Sequence, residues 1–339
     1  MKSRLAVLGA GSWGTALAVH LAGAGRHPVR LWARHRELAL RLARERANPE
    51  YLPGVELPPG VEPTADLEEL ADCELALLVV PSHGFRAVLR QFLATRPAGR
   101  PVQLLSGTKG IETDSLARMS QVVFEEGIVA DREVRYAVLC GPSFAAELAR
   151  GAPTAAVIAS DDGDLATAIR ESLATPMLRL YSSHDVVGVE LAASAKNVIA
   201  IAAGVVVGLG FGHNTLAALI TRGLHEITRL GIAYGGQART FAGLAGLGDL
   251  VLTCTGGLSR NRRTGLELAQ GRTLAEITGE TSMVAEGIRN SVAIARLAAL
   301  RGVEMPITRQ MVAVMHEGKN PRQALEELMT RELKAETEL

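Results

Sequence analysis

The strongest constraint on this chain lies near its start. The apolar run Leu5–Leu8 is followed at once by Gly9-Ala10-Gly11-Ser12-Trp13-Gly14 and then by a helical stretch over residues 15–24. Glycines at this spacing between a strand and a helix have distinct tasks: the first permits a tight turn, the second lets the backbone approach a pyrophosphate, and the third lets the helix pack on the strand. The helix N-terminus then offers free N–H groups to an anion. An isolated motif of this kind is a common coincidence. The preceding strand, the following helix and a second apolar run at Val29–Trp32 give this one the context of a dinucleotide-binding βαβ unit.

The rest of the first half continues that alternation. Residues 75–80, 102–105, 136–139, 155–158 and 177–180 read as further strands with amphipathic stretches between them, which predicts a Rossmann-like, doubly wound, mostly parallel sheet. Asp66 and Glu69 are spaced as a capping pair, and Thr113 or Asp114 is expected to open another helix. After Asp185 the period-two pattern stops and long Ala/Leu-rich stretches take over. The expected boundary lies within residues 183–187, giving a dinucleotide-binding domain over 1–185 and an all-helical domain over 186–339.

Composition narrows the functional classes. With 339 residues and 47% hydrophobic content, the chain can fill two cores. Lys plus Arg and Asp plus Glu both number 36, so no net field draws the protein to nucleic acid or to an anionic membrane. Cys73, Cys140 and Cys254 lie far apart, which suggests neither a disulfide framework nor a metal site and suits a reducing cytoplasm. The basic, then apolar, segment 2–21 lacks a convincing cleavage site before Gly25. Residues 191–209 could span a bilayer by length but contain Lys196 and Asn197; a lysine there costs about 2.5–3.5 kcal/mol on insertion, so the segment reads as a buried helix and no membrane insertion is expected.

Individual residues suggest chemistry. The second strand ends in Trp32-Ala33-Arg34-His35-Arg36, without the acidic residue that binds a ribose 2′-hydroxyl. That favours a 2′-phosphate, hence NADP(H), with NAD(H) also accepted; the same arginines also fit a solvated helix start. Lys196, inside an apolar helix, needs a partner or a lowered pKa and suits proton transfer, unless it snorkels to solvent. Downstream, Gly246-Leu247-Gly248-Asp249-Leu250, Thr253 and Ser259-Arg260-Asn261-Arg262-Arg263 can supply a carboxylate for the lysine and a fork for phosphate. Taken singly, Asp249 also fits a helix cap and the arginines a solvated run. His83 and His213 read as hydrogen-bonded structural residues.

Across nearly its whole length the chain resembles the bacterial NAD(P)-dependent sn-glycerol-3-phosphate dehydrogenases. The likeness rests on the glycine-rich turn, Val80-Pro81-Ser82-His83, Thr108-Lys109-Gly110, Gly141-Pro142-Ser143-Phe144-Ala145, Lys196-Asn197-Val198-Ile199-Ala200, Ala245-Gly246-Leu247-Gly248-Asp249-Leu250, Ser259-Arg260-Asn261 and Glu304-Met305-Pro306-Ile307-Thr308, all in family order. It implies cofactor contacts from Ser12, Trp13, Arg34, His35, Lys109, Ala145, Arg260, Val284 and Glu286. It implies that Lys109, Gly141, Ser143, Lys196, Asp249, Ser259, Arg260 and Asn261 surround sn-glycerol 3-phosphate or dihydroxyacetone phosphate, with Lys196 as proton acceptor, Asp249 holding it, and Thr253 and Asn197 as further contributors. A homodimer, a supply of phospholipid precursor and no catalytic metal are also implied. Ala193-Ser194-Ala195 and Val207 depart from the family pattern and bear on local packing. A 2-hydroxy-acid or sugar-acid dehydrogenase and a non-catalytic nucleotide sensor share the layout; the Ser259–Asn261 segment argues against the first, and Lys196 with Asp249 against the second.

Overall fold

A computed structural model describes residues 5–25, 27–279, 285–333, 335 and 336. The chain divides into two compact units: Met1–Thr108 with Met119–Val186, and Lys109–Arg118 with Val187–Leu339. The excursion of Lys109–Arg118 into the second unit is a feature that a single contiguous boundary does not describe.

The first unit is built on ten strands: β1 (Leu5–Leu8), β2 (Val29–Trp32), β3 (Ala47–Asn48), β4 (Leu52–Glu56), β5 (Val61–Thr64), β6 (Leu75–Leu78), β7 (Val102–Ser106), β8 (Val134–Cys140), β9 (Thr154–Ala159) and β10 (Leu178–Ser183). Eight form one sheet in the order β10-β9-β8-β7-β6-β1-β2-β5, while β3 and β4 pair as a separate ribbon. All neighbours in the large sheet are parallel except β8 and β9, which pair antiparallel. The doubly wound, mostly parallel architecture is therefore present. β1 lies at its centre, with Leu5 in register with both Val29 and Leu75. None of its four residues is more than 1% exposed, because a central parallel strand is covered on both faces and reads as an unbroken apolar run. The order of strand insertion reverses on either side of β1, which makes its carboxyl end the switch point where such sheets bind ligands.

Helix α1 (Ser12–Gly23) follows directly and is buried along most of its length; α2 (Arg36–Glu45), α3 (Ser82–Thr95), α4 (Met119–Val129), α5 (Ala145–Ala149) and α6 (Gly163–Leu173) complete the unit. Two local expectations are corrected. Asp66 accepts the N–H of Glu68 at 2.9 Å, but only a single 3₁₀ turn, Glu68–Leu70, follows. No helix opens at Thr113 or Asp114: residues 111–118 form a turn closed by an antiparallel bridge between Ile111 and Arg118, and α4 begins at Met119. Leu116 takes a φ of 61° within that turn, a backbone state that a helix interior excludes.

The second unit is helical: α7 (Val186–Gly208), α8 (His213–Ala233), α9 (Ala238–Phe241), a π-helical turn at Leu244–Gly248, α10 (Asp249–Thr255), α11 (Arg260–Ala269), α12 (Leu274–Gly279), α13 (Glu286–Leu300), α14 (Pro306–His316) and α15 (Pro321–Met329). The 23-residue α7 is long enough, and apolar enough on average, to cross a membrane, yet 89% of its most apolar window is buried inside the protein. Each fully buried Leu, Ile or Val contributes about 1.5–3 kcal/mol, so α7 is the axis of this unit's core. At Ala193-Ser194-Ala195 all three side chains are buried, and the Ser194 hydroxyl is spent within α7, donating to the Glu190 carbonyl at 2.8 Å.

Helices α7 and α11 touch backbone to backbone. A Cβ on Gly204 would stand 1.9 Å from the Arg262 carbonyl oxygen, and one on Gly265 would stand 1.9 Å from the Ile201 carbonyl oxygen. Nothing larger than hydrogen fits at either position. Across the same unit, buried Glu226 of α8 caps α14: its carboxylate accepts from Ile307 N at 2.6 Å and from Thr308 N and Thr308 Oγ1, both at 3.1 Å. Pro306 at the first helical position has no N–H to satisfy. The Met305-Pro306-Ile307-Thr308 segment is thus a helix start built around a buried carboxylate.

Candidate active site

Each unit carries one half of the candidate chemistry. In the first, Gly9 has a φ of 122° and a Cβ there would meet the Val79 carbonyl at 2.9 Å; a Cβ on Gly14 would stand 1.9 Å from Gly9 O. These two glycines draw the turn between β1 and α1 tight. Gly11 differs, since nothing lies within 4 Å of where its Cβ would be, which leaves an open approach to the backbone. Gly11, at the N-cap of α1, has no side chain to cap it, and the buried Trp13 Nε1 beside it has no hydrogen-bond partner among the described residues. A buried unmet donor costs about 1–3 kcal/mol. An open turn, an uncapped helix start and an orphaned donor together fit the pyrophosphate of a dinucleotide.

At the carboxyl end of β2, Arg34 and His35 are both exposed, with Arg34 Nη2 3.3 Å from His35 Nε2. Between β8 and α5, Gly141 has a φ of 148°, Ser143 Oγ donates to Gly141 O at 3.0 Å, and Ala145 opens α5. Exposed His83 and His213 join no group of three or more metal-binding side chains; none exists among the described residues.

The second unit brings together residues that lie far apart in sequence. Lys196, on α7, is only 5% exposed at its side chain, and Asp249 only 2%. Lys196 Nζ donates to Asp249 Oδ1 at 2.6 Å and to Thr253 Oγ1 at 2.6 Å. Lys109 Nζ donates to the other carboxylate oxygen, Oδ2, at 2.7 Å. Thr253 is able to accept from the lysine because its own hydroxyl proton goes to Asp249 O, one turn back, at 2.6 Å. Burial alone would push the Asp249 carboxyl up, but the Lys109 and Lys196 ammoniums outweigh it and hold the pKa below the usual carboxylate range. The cluster therefore has one anion facing two cations. Cys254 beside it stays a neutral thiol, pushed up to about 12 by burial.

The π-helical turn delivers Asp249 to this place. Gly248 N bonds back five residues to Gly243 O at 3.1 Å, a wide turn that resets the phase of the chain just before α10 starts at Asp249; such turns are frequent at functional sites. Next along the chain, Ser259 caps α11 by accepting Arg262 N at 3.2 Å. Exposed Arg260 is the first residue of α11, and Glu286 the first of α13. Buried Asn261 accepts Gly287 N on Oδ1 at 3.0 Å and donates Nδ2 to Asn197 Oδ1 at 3.0 Å. One amide hydrogen of Asn261 is thereby committed to the protein. Val284, the remaining expected cofactor contact, lies outside the described residues.

The pairing of Lys109 with Asp249 was not legible from motifs, although the resemblance puts both beside the substrate. No spacing rule links residues 140 positions apart. Thr253 does carry a local signal: it lies four residues after Asp249, on the same face of α10.

A nucleotide-accepting turn at the switch point of the sheet, in a chain that also carries a buried lysine–carboxylate pair, defines a nucleotide-linked dehydrogenase. The chain belongs to the NAD-dependent glycerol-3-phosphate dehydrogenase family, whose N-terminal model matches residues 4–166 and whose C-terminal model matches residues 185–326. It is 52% identical to the glycerol-3-phosphate dehydrogenase [NAD(P)+] of Geobacter sulfurreducens (strain ATCC 51573 / DSM 12127 / PCA) over 99% of both chains. It is 51% identical to that of Nitratidesulfovibrio vulgaris (strain DP4) over 98% of this chain and all of the relative. The crystal structure of glycerol-3-phosphate dehydrogenase from Coxiella burnetii superposes with a TM-score of 0.92 at 40% identity, covering 97% of this chain and 99% of the other. The protein is an oxidoreductase of the CH–OH group.

Proposed function

We propose that the protein interconverts dihydroxyacetone phosphate and sn-glycerol 3-phosphate, with Lys196 as the proton-transfer group, Asp249 as its holder and NADP(H) as the preferred cofactor. The observation that carries this reading is the buried Lys196–Asp249–Lys109 cluster with Thr253. The bound nicotinamide supplies or takes up the hydride at substrate C2. In the reducing direction the Lys196 ammonium gives a proton to the oxygen that becomes the C2 hydroxyl; in the oxidising direction the neutral amine takes that proton back. Thr253 and Asp249 fix the nitrogen, so little reorganisation is needed as the charge moves. The second cation, Lys109, favours the developing negative charge on the C2 oxygen.

The first unit would hold the dinucleotide through Gly9, Gly11, Ser12, Trp13 and Gly14, with Arg34 and His35 receiving the 2′-phosphate and Ala145 a further contact. Gly141 and Ser143 of that unit are read as substrate residues. In the second, Arg260, with Ser259 and the uncommitted amide hydrogen of Asn261, would grip the substrate phosphate; Arg260 and Glu286, with Lys109, would also meet the cofactor. Remote binding at the phosphate fixes C2 for reaction. We further propose a cytoplasmic location, which the three free cysteines suit, and, from the family resemblance alone, a homodimer that supplies glycerol 3-phosphate to phospholipid synthesis. The test mixes purified protein with dihydroxyacetone phosphate and NADH or NADPH while following absorbance of the reduced nicotinamide. Loss of absorbance that depends on the phosphorylated ketone, and faster with NADPH, is expected; oxidation only with 2-keto acids would overturn the reading.

A further inference from the structure

We propose that Asn290 is a positioning residue for Lys109, its buried carboxamide fixing the peptide from which that lysine reaches Asp249. The inference rests on the reading that Lys109 and Lys196 serve the reaction. Asn290 lies on α13 and is 0% exposed. Its Oδ1 accepts the N–H of Ile111 at 3.3 Å, and its Nδ2 donates to the Lys109 carbonyl at 3.3 Å. The two contacts clasp the chain on both sides of Gly110. The same Nδ2 also lies 3.4 Å from the carbonyl of Ser194, two residues before Lys196 on α7. One side chain therefore touches the backbone of both segments that carry the cluster's cations.

Each bond is long, but no water reaches the amide to replace it, and a buried peptide group left unpaired costs about 1–3 kcal/mol. The carboxamide suits the task because it offers an acceptor and two donors in one plane, matching a carbonyl and an N–H on one segment and a carbonyl on another. Other tethers hold the excursion further along: Arg118 Nη1 pairs with Glu190 at 2.7 Å and Arg296 Nη1 donates to Thr113 O at 3.0 Å. Asn290 grips the peptide of Lys109 itself. The lysine stem has four rotatable carbons, so its ammonium stays on Asp249 Oδ2 only if its Cα is fixed. If Lys109 drifts, the second cation leaves the cluster.

The test is a double-mutant cycle using Asn290→Leu, Lys109→Ala and the double variant, with kcat/KM for dihydroxyacetone phosphate as readout and thermal melts confirming that each protein is folded. Asn290→Leu is expected to lower kcat/KM by about 10- to 100-fold, the scale of a small misplacement of a reacting group. In the Lys109→Ala background the same substitution should have little further effect, because the residue acts through that lysine. Should the leucine variant fail to fold, Asn290→Ser, which is smaller and keeps a donor and acceptor, takes its place in the cycle. The inference is overturned if Asn290 variants keep parental kcat/KM, or if their loss multiplies in full with that of Lys109→Ala. Harmless Lys109→Ala would sink the active-site reading and this inference together; a damaging Lys109→Ala beside a harmless Asn290 variant would sink this inference alone.

Discussion

Asp249 takes Lys196 on one carboxylate oxygen, at 2.6 Å, and keeps the other oxygen for a different cation. A carboxylate shared in this way restrains Lys196. Lys196→Met removes the ammonium and keeps the bulk. Turnover should fall by roughly 10²–10⁴ with cofactor affinity nearly unchanged, as measured by steady-state kinetics and by NADPH fluorescence titration. Near-normal turnover would remove Lys196 from the chemistry.

Asp249→Asn tests the other side of the pair. Two buried or half-buried ammoniums would then face each other without an anion, and breaking such a pair from one side costs about 3–5 kcal/mol. Chemical denaturation should show a loss of that order. A stability equal to the parent's would mean that the carboxylate does not hold the cluster.

The proposed role of Arg34 in cofactor choice can be tested directly. A charge-assisted contact to the 2′-phosphate is worth about 1.5–3 kcal/mol, roughly a ten- to hundredfold preference for NADPH. Arg34→Asp should reverse it, replacing attraction by repulsion and offering the ribose of NADH an acceptor. The check is kcat/KM for both cofactors in both proteins; an unchanged ratio would leave Arg34 as surface charge.

Glu226 makes stability depend on pH. Burial pushes its carboxyl from the ordinary 4.5 up to about 7, against the three donors at the start of α14. The folded state then binds the proton more tightly than the unfolded chain. Its stabilising contribution is complete below about 4.5 and is lost as pH rises through about 7. On the order of 3 kcal/mol is involved, at about 1.4 kcal/mol per pKa unit. Urea unfolding of the parent at pH 5 and pH 8 should show lower stability at pH 8, and Glu226→Gln should flatten that difference whatever its constant cost. An equal slope in the variant would assign the pH dependence elsewhere.

Much of the fold was readable because its elements are local. β1 and β2 coincide with apolar runs, and α7 carries a continuous buried sequence. β5 was missed: it holds Glu62 and Pro63, residues that weaken a strand signal and are tolerated only because it sits at the sheet edge. The turn at residues 111–118 was misread because Thr113 and Asp114 look like helix starters, while bonds from Asn290 and Arg296, far along the chain, hold the backbone in another shape. Within the candidate site, Lys196 and Asp249 stood out by chemistry and likeness. Asn290 did not, since an asparagine in an amphipathic helix gives no sign that distant peptides will close on it.

On the roles proposed for Lys196 and Arg260, the glycine contact between α7 and α11 would also bear on how the substrate is gauged. Lys196 is carried by one helix and Arg260 by the other, and with Gly204 and Gly265 interlocked the two helices cannot slide past each other. With those roles, the span from phosphate grip to proton donor would be a ruler, cut to one separation between a phosphoester and a carbonyl carbon. A ketone one carbon longer between those groups would be held at its phosphate and still present the wrong atom to Lys196, so on this reading discrimination by length would arise from two missing side chains deep in the core.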